Sequence, residues 1–549
     1  MNLKLRHWPV FVMLVYVVLQ FGLARAADTN TSVTQGAQEQ MVAMRDGVKL
    51  ATNVFLPEGA GPWPVVLTRT PYSKDGTFGM QWSRYTKAGY AFVIQDCRGR
   101  FRSEGDYSPF VTDADDGYDT VNWLAAQSWC NGKVGMSGAS AMGITTLLAA
   151  IANPENLVAG FVVVAPQSFW TEATFIGGVF KEADVAGWMK SQGTEDQIAD
   201  RRASLTRVDE EMARDIAVHR NKIDIPIYHV GGWYDIFSVG TQGNFAFLHN
   251  EGQEGARGRQ KLLMGPFGHG GLKGELSYKG GGGLLNAFGE ELRWFDHYLK
   301  GKQNGIAAEP AVKYYQMASA RKGAISEKNG WHTVANWPPE SKALKYFLHG
   351  SHELSTSPPS AASVATTYRF DPAIPVPTAG GANLRLDIGP VDQRQIAERE
   401  DYLRFQTPAL ESDVTLAGSA YLDLYASSDA PDTDFMVKLV DVYPDGYEAL
   451  ILDAPLRAMY REGRRPEQIK KLEASKPTRM KVELGGTANT FEKGHRIAVH
   501  ISSSNHPRFE VNSNTGDLPG TSPSPPRVAV NTIHHDAEHP TALVLSVVE

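Results

Sequence analysis

From about residue 40 to 300, short apolar runs alternate with stretches whose apolar residues recur at helical spacing. The runs are Val65-Val66-Leu67, Ala91-Phe92-Val93-Ile94, Lys133-Val134-Gly135-Met136, Phe161-Val162-Val163-Val164, Ile225-Pro226-Ile227-Tyr228 and Lys261-Leu262-Leu263-Met264. Strands without a polar face must be covered on both sides, so this rhythm predicts a parallel sheet between helical layers. Asp116-Gly117-Tyr118-Asp119 leads into Thr120-Val121-Asn122-Trp123-Leu124, whose spacing predicts a helix. Asp113, Asp115, Asp116 and Asp119 then read as capping residues on a solvated face.

From Gln167 to Lys222 the rhythm stops. Trp170, Phe175, Phe180 and Trp188 precede a charged helical tract, Glu195 to Arg220, with no clear strand. Such an insertion predicts a helical cap that walls one side of a site. After Trp337-Pro338-Pro339 the pattern becomes two-residue alternation, as in Leu384-Arg385-Leu386-Asp387 and Met436-Val437-Lys438-Leu439. Turns such as Pro444-Asp445-Gly446 punctuate it, which predicts an all-β sandwich or jelly roll. The tract Arg461 to Lys476 mixes both charges and reads as a solvated loop or short helix.

At the N-terminus, Lys4 and Arg6 precede an apolar run from Trp8 to Leu23 and then Ala24-Arg25-Ala26. This is the pattern of a secretory signal peptide cut after Ala26. The run, about 16 residues, falls short of the roughly 20 that span a bilayer as a helix. The expectation is an exported protein, periplasmic or secreted, with no stable membrane insertion after cleavage. Four segments result: the signal over 1–26, an α/β core over 27–166 and 223–340, the cap over 167–222, and the β domain over 341–549.

Composition narrows the function. With 549 residues, 42% hydrophobic and 21% charged, the chain is a multidomain globular protein, not a collagen, coiled coil or disordered polymer. A net charge of −7 gives no reason to expect nucleic acid as a partner. No spacing supports a metal, and no glycine pattern for a nucleotide follows a strand, so no cofactor is expected. The only disulfide candidates are Cys97 and Cys130, beside strand ends of one predicted sheet; the alternative is two buried thiols. The oligomeric state stays open, a homo-oligomer included.

The chemistry stands at strand ends. Gly138-Ala139-Ser140-Ala141-Met142-Gly143 joins the run at 133–136 to the helix-like Ile144–Ala150. A serine on such a bend exposes its hydroxyl above the sheet and leaves a helix N-terminus to help an oxyanion. The match to G-x-S-x-G is imperfect, because Met142 stands at the second glycine position. Ser137, nearer the strand, is a weaker candidate. A serine needs a histidine to take its proton and a carboxylate to orient that histidine. Asp235, after Gly231-Gly232-Trp233-Tyr234, and His269, after Gly265-Pro266-Phe267-Gly268, follow two later strands in the order that α/β-hydrolases use. His229 reads as a buried strand residue and His297 as helix packing with a polar tip. Trp170, Trp233 and Phe237 are candidate pocket walls.

These motifs resemble the cocaine esterase-like (CocE/NonD) branch of the α/β-hydrolases, relatives of Xaa-Pro dipeptidyl peptidases and α-amino acid ester hydrolases. The resemblance also draws on Arg69-Thr70-Pro71-Tyr72, Gln95-Asp96-Cys97-Arg98-Gly99-Arg100, Trp294-Phe295-Asp296-His297-Tyr298-Leu299-Lys300-Gly301, Asp432-Thr433-Asp434-Phe435 and Asn512-Ser513-Asn514-Thr515-Gly516. It implies a hydrolase core, a helical cap and a jelly roll, with Ser140 as nucleophile, His269 as base and Asp235 as its orienting carboxylate. It also implies an oxyanion hole made by the Tyr72 hydroxyl and the Ala141 backbone N–H. The family usually has tyrosine after the nucleophile; Ala141 there implies a differently shaped pocket wall. The expected substrate is a small-molecule ester, cleaved through an acyl-enzyme. An amide is the alternative, and a non-catalytic glycan-binding protein a second. Amide-directed relatives grip a substrate ammonium with carboxylates. Ile236-Phe237 follow Asp235 here, which leaves Glu172, Glu182 and Asp184 in the cap as candidates for that work.

Overall fold

The structure, a computed structural model, describes residues 36–281, 287–519, 521 and 523–548. The expected signal peptide lies outside these residues. Among them, no helix is long and apolar enough to cross a membrane.

Ten strands build the first sheet: β1 (Gln38–Ala43), β2 (Lys49–Phe55), β3 (Trp63–Thr70), β4 (Ala91–Asp96), β5 (Cys130–Ala139), β6 (Leu157–Val163), β7 (Ile227–Tyr234), β8 (Lys261–Gly268), β9 (Val312–Gln316) and β10 (Gly330–Val334). Their order is β1-β2-β4-β3-β5-β6-β7-β8-β9-β10, parallel from β4 to β9 and antiparallel at both edges. The two-residue period of a strand sorts its side chains between faces. Val65 and Leu67 join one core with Leu124, Leu147 and Leu248, from helices α1 (Asp113–Ala125), α2 (Ala141–Ala152) and α3 (Ser238–Asn250). Val66 joins the opposite core with Phe161, Trp294 and Phe295, the last two from α4 (Ala287–Tyr298). Both faces are therefore buried, as the apolar runs require.

One expectation about this domain is corrected, and one open alternative is resolved. Asp113 and Asp116 do stand in the first turn of α1, but they face inward, not to solvent. Arg69, fully buried, lies 2.9 Å from Asp113 and 3.6 Å from Asp116, and Arg98 lies 2.6 Å from Asp116. A buried guanidinium needs such partners, and these acids supply them; only Asp115 and Asp119 serve the outer surface, through Arg45. The two cysteines do not meet: both thiols are free and buried. Cys130 lies beside Trp63 at the start of β3, whereas the Cys97 N–H donates to Thr70 at its end. Seven residue steps of strand, about 3.3 Å each, hold them at opposite ends of β3, far beyond the roughly 7 Å a disulfide tolerates.

The cap follows β6 and is assembled from short helical turns, including two π-helical ones at Phe169–Thr174 and Glu182–Ala186. It also contains a small hairpin, Phe175–Ile176 paired with Val179–Phe180, which no alternation in the sequence announced. The hairpin tip presses on the β domain: Arg457 N–H donates 2.8 Å to the Gly177 carbonyl. A methyl group on Gly177 would stand 2.0 Å from the Pro455 oxygen, so only glycine allows the contact.

The C-terminal domain is the predicted jelly roll. Its long strand Val414–Ser428 pairs antiparallel with Thr478–Phe491, Ala529–His534 and Ala542–Val548. Leu422, Leu424, Phe435, Val437, Leu439, Val499 and Leu543 fill its core.

Candidate active site

Ser140 stands where β5 turns into α2, with φ +57° and ψ −123°. That conformation is strained for a residue with a Cβ, and it is held by the Ser140 N–H donating 2.9 Å to Val163 O and by the close approach of strand and helix. A methyl group at Gly138 would lie 2.4 Å from the Met142 carbonyl carbon. The glycine two before the serine is thus sterically required. Gly143, one position later than the usual pattern, faces the Gly138 and Val163 carbonyls, where an added Cβ would stand 3.1 Å away from each. Ser137 lies within β5.

The loops after β7 and β8 bring the two partners to the same edge. His269 Nε2 is 2.9 Å from Ser140 Oγ, and its Nδ1 is 2.7 Å from Asp235 Oδ2. Asp235 also accepts the Phe237 N–H at 2.8 Å, which fixes its carboxylate plane. Asp235 is 2% and His269 8% exposed, so the hydrogen bonds work in a medium that screens little. Phe237 packs edge-on to the imidazole, with ring centres 5.9 Å apart.

Next to the hydroxyl, Ala141 is the first residue of α2, whose backbone N–H has no acceptor within its own helix. Tyr72, just past β3, stands on the other side. Its phenol oxygen accepts the Trp188 indole N–H at 2.9 Å. Burial raises the Tyr72 pKa, and hydrogen bonds with Trp188 and Ser140 pull it back. Because an indole can only donate, the phenol oxygen takes that bond and keeps its own proton for another acceptor.

A cavity of about 120 Å³ opens at Ser140 and Ala141. Phe110, Phe169 and Trp188 form one wall, Phe110 stacking on both at 5.3 and 5.7 Å. Phe237 lines it as expected, but Trp170 and Trp233 do not. Trp170 is buried among Phe175, Phe180, Met459 and Tyr460 with Arg464 over its ring, where it joins the cap to the jelly roll. Trp233 donates to Tyr315 O at 2.8 Å and faces a second cavity behind Asp235. Aromatic content alone had marked them; side-chain direction decides. Phe110, Phe169 and the Tyr72–Trp188 bond went unread, although the density of aromatics in the cap was the available signal.

Of the three acids considered for an ammonium group, Glu172 spends both oxygens on the Gln167 and Gly240 N–H groups, at 2.8 and 2.6 Å. Burial pushes its carboxyl up to about 7. Glu182 pairs with Arg202. Asp184 alone lines the cavity, with Lys181 beside it. His229 is buried in β7 against Gln260, and burial lowers its pKa to about 4. His297 lies at the exposed end of α4, its Nδ1 3.1 Å from Lys302 O.

Fold and site together define a serine hydrolase of the α/β-hydrolase class. Residues 46–217 match the model of the X-Pro dipeptidyl-peptidase (S15 family), and residues 304–544 that of the X-Pro dipeptidyl-peptidase C-terminal non-catalytic domain. A cocaine esterase of Rhodococcus sp. (strain MB1 Bresler) is 32% identical, over 95% of this chain and all of that protein. An α-amino acid ester hydrolase of known structure is 26% identical, with a TM-score of 0.78 over 93% of this chain and 96% of that one. An aminopeptidase from the marine sediment archaeon Thaumarchaeota archaeon shares the fold at 24% identity, with a TM-score of 0.80 over 96% and 99% of the two chains. The chain belongs to the cocaine esterase-like (CocE/NonD) family of S15-type serine hydrolases. It is an enzyme of the serine hydrolase type.

Proposed function

We propose that Ser140, His269 and Asp235 are the catalytic triad of a carboxylic ester hydrolase for small, apolar acyl groups. The observation that carries this is the single imidazole bridging Oγ and carboxylate at 2.9 and 2.7 Å. Ser140 attacks the ester carbonyl as its proton passes to His269 Nε2. The Nδ1–H, held by Asp235, keeps the tautomer that can accept it and stabilises the imidazolium. The tetrahedral oxyanion takes hydrogen bonds from the Ala141 N–H and the Tyr72 hydroxyl, and each such donor typically lowers the barrier by about 3–4 kcal/mol. His269 returns the proton to the leaving alkoxide; water, deprotonated by the same imidazole, then releases the acid.

The aromatic wall and a volume comparable to cavities that hold one benzene ring favour acyl groups of that size. Ester over amide is supported by two relatives that are named as ester hydrolases. An α-amino acid ester is disfavoured, because Glu172 and Glu182 are engaged and Asp184 already stands beside a lysine. The pattern of Lys4, Arg6 and the following apolar run supports export. The assigned segments are the core over 27–166 and 223–340, the cap over 167–222 and the jelly roll over 341–549.

The test is a panel of esters and matched amides, with capped and free amines, run on wild type and Ser140→Ala. Capped esters should turn over fastest and only with wild type. Preference for free-amine substrates would overturn the substrate reading, and full activity in Ser140→Ala the mechanism.

A further inference from the structure

Glu211 is buried in the cap and holds two arginines where one would balance it. Arg201 Nη1 donates to its Oε2 at 3.1 Å, and Arg214 Nη2 donates to its Oε1 at 2.9 Å. A buried carboxylate needs one cation beside it, so the second arginine leaves a net positive charge. All three residues line the cavity that opens at Ser140. The other charged pair of that cavity, Lys181 and Asp184, is closed on itself at 3.9 Å and adds no net charge. Glu210 reaches Arg214 only at 3.5 Å and stands outside the cavity lining, as do the pairs Arg202–Glu182 and Arg207–Asp200.

Both guanidiniums have donors to spare, and those donors are open. The side chains of Arg201 and Arg214 are 26% and 35% exposed. Among the described residues no acceptor meets Arg201 Nε and Nη2 or Arg214 Nε and Nη1. None of these nitrogens is enclosed, in contrast to Arg202 Nε and Arg207 Nε of the same cap. A guanidinium fork fits a carboxylate through two parallel N–H bonds, and a second positive group beside it strengthens the preference for an anion. A substrate ammonium would be repelled here. The rest of the lining sets what must precede the anion. Phe110, Phe169 and Trp188 form an apolar wall, which suits a hydrocarbon stem. The cavity is lined by Ser140 and Ala141 but not by His269, which must protonate the leaving alcohol, so the stem belongs to the acyl group.

We propose that Arg201 and Arg214 bind a terminal carboxylate of the acyl group, so that the enzyme prefers half-esters of dicarboxylic acids to neutral esters of the same length. This rests on the ester-hydrolase reading above and names the substrate class within it.

The experiment measures kcat/KM for the 4-nitrophenyl half-esters of adipic, pimelic and suberic acids and for the same compounds methylated at the free carboxyl. Wild type, Arg201→Gln, Arg214→Gln and Arg207→Gln are compared, each normalised to the Ser140 sites that a fluorophosphonate titrates. Glutamine keeps an N–H for Glu211 and removes the charge; Arg207, paired with Asp200 outside the cavity, controls for general surface charge. In wild type the free acid should exceed its methyl ester by tenfold or more for at least one chain length. Arg201→Gln and Arg214→Gln should each lower that ratio at least threefold, and Arg207→Gln should leave it as it is. A smaller wild-type ratio at every length overturns the proposal, as does an unchanged ratio in either cavity variant or an equal loss in Arg207→Gln. Failure of the esterase reading would look different: no titratable serine and no turnover of any methylated compound.

Discussion

The Trp188 indole donates a hydrogen bond to the Tyr72 phenol oxygen at 2.9 Å, so a residue of the cap orients a residue of the core beside the nucleophile. Cap and core are thereby tied together beside Ser140. Tyr72→Phe should lower kcat by about 10²–10³, the usual cost of one oxyanion donor, with little change in KM. Trp188→Phe removes the orienting bond, worth about 1 kcal/mol, and keeps an aromatic ring in the cavity wall, so kcat should fall roughly three- to tenfold. Steady-state kinetics on both variants checks the order; an equal loss would deny the phenol a direct role.

Asp235→Asn keeps the shape of the site but offers an amide where Nδ1–H needs an acceptor. By the logic of triads kcat should drop about 10⁴-fold while thermal stability changes little. Ester kinetics and a melting curve together test this.

The hairpin tip predicts a purely structural effect. Gly177→Ala places a methyl group 2.0 Å from the Pro455 oxygen, so the cap must lift from the jelly roll. Overpacking of this kind typically costs about 1–3 kcal/mol. Denaturant unfolding should show the loss, and faster proteolysis within 167–222 should accompany it.

Much of this was legible in the chain. Continuous apolar runs gave β3 to β8, because strands buried on both faces leave no polar alternation. The serine, aspartate and histidine were readable because each follows a strand in a fixed order, and a parallel sheet carries all such ends to one edge. Side-chain direction was not readable. Trp170 and Trp233 look like pocket walls in sequence, yet one joins the cap to the jelly roll and the other hydrogen-bonds Tyr315. Nor could local sequence show that Asp113 and Asp116 turn inward to Arg69, since that pairing spans more than forty residues.

Glu172 sets a pH signature. Burial raises its carboxyl to about 7 in the folded protein, against roughly 4.3 in an unfolded chain. Between those values the folded state holds a proton that the unfolded state has released. Stability therefore falls as pH rises from about 4.3 to 7 and levels above, by at most about 1.4 kcal/mol per pH unit from this group. Glu172→Gln lacks that slope, so the advantage of wild type over it should shrink from pH 5 to pH 8. Urea unfolding at each pH measures it; a constant or growing advantage would contradict the burial argument.

The free thiols give a mass-spectrometric test. Denatured without reductant, the protein should take up two alkyl groups, at Cys97 and Cys130, and dithiothreitol should leave the melting temperature unchanged. A species that resists alkylation until reduced would place the cysteines together.

The triad itself is tested most directly by mapping the residue that a fluorophosphonate modifies. The account predicts one adduct, on Ser140, formed rapidly in wild type, slowed by orders of magnitude in His269→Ala and missing in Ser140→Ala. An adduct on Ser137 or any other serine, or ester turnover that persists in Ser140→Ala, would contradict it.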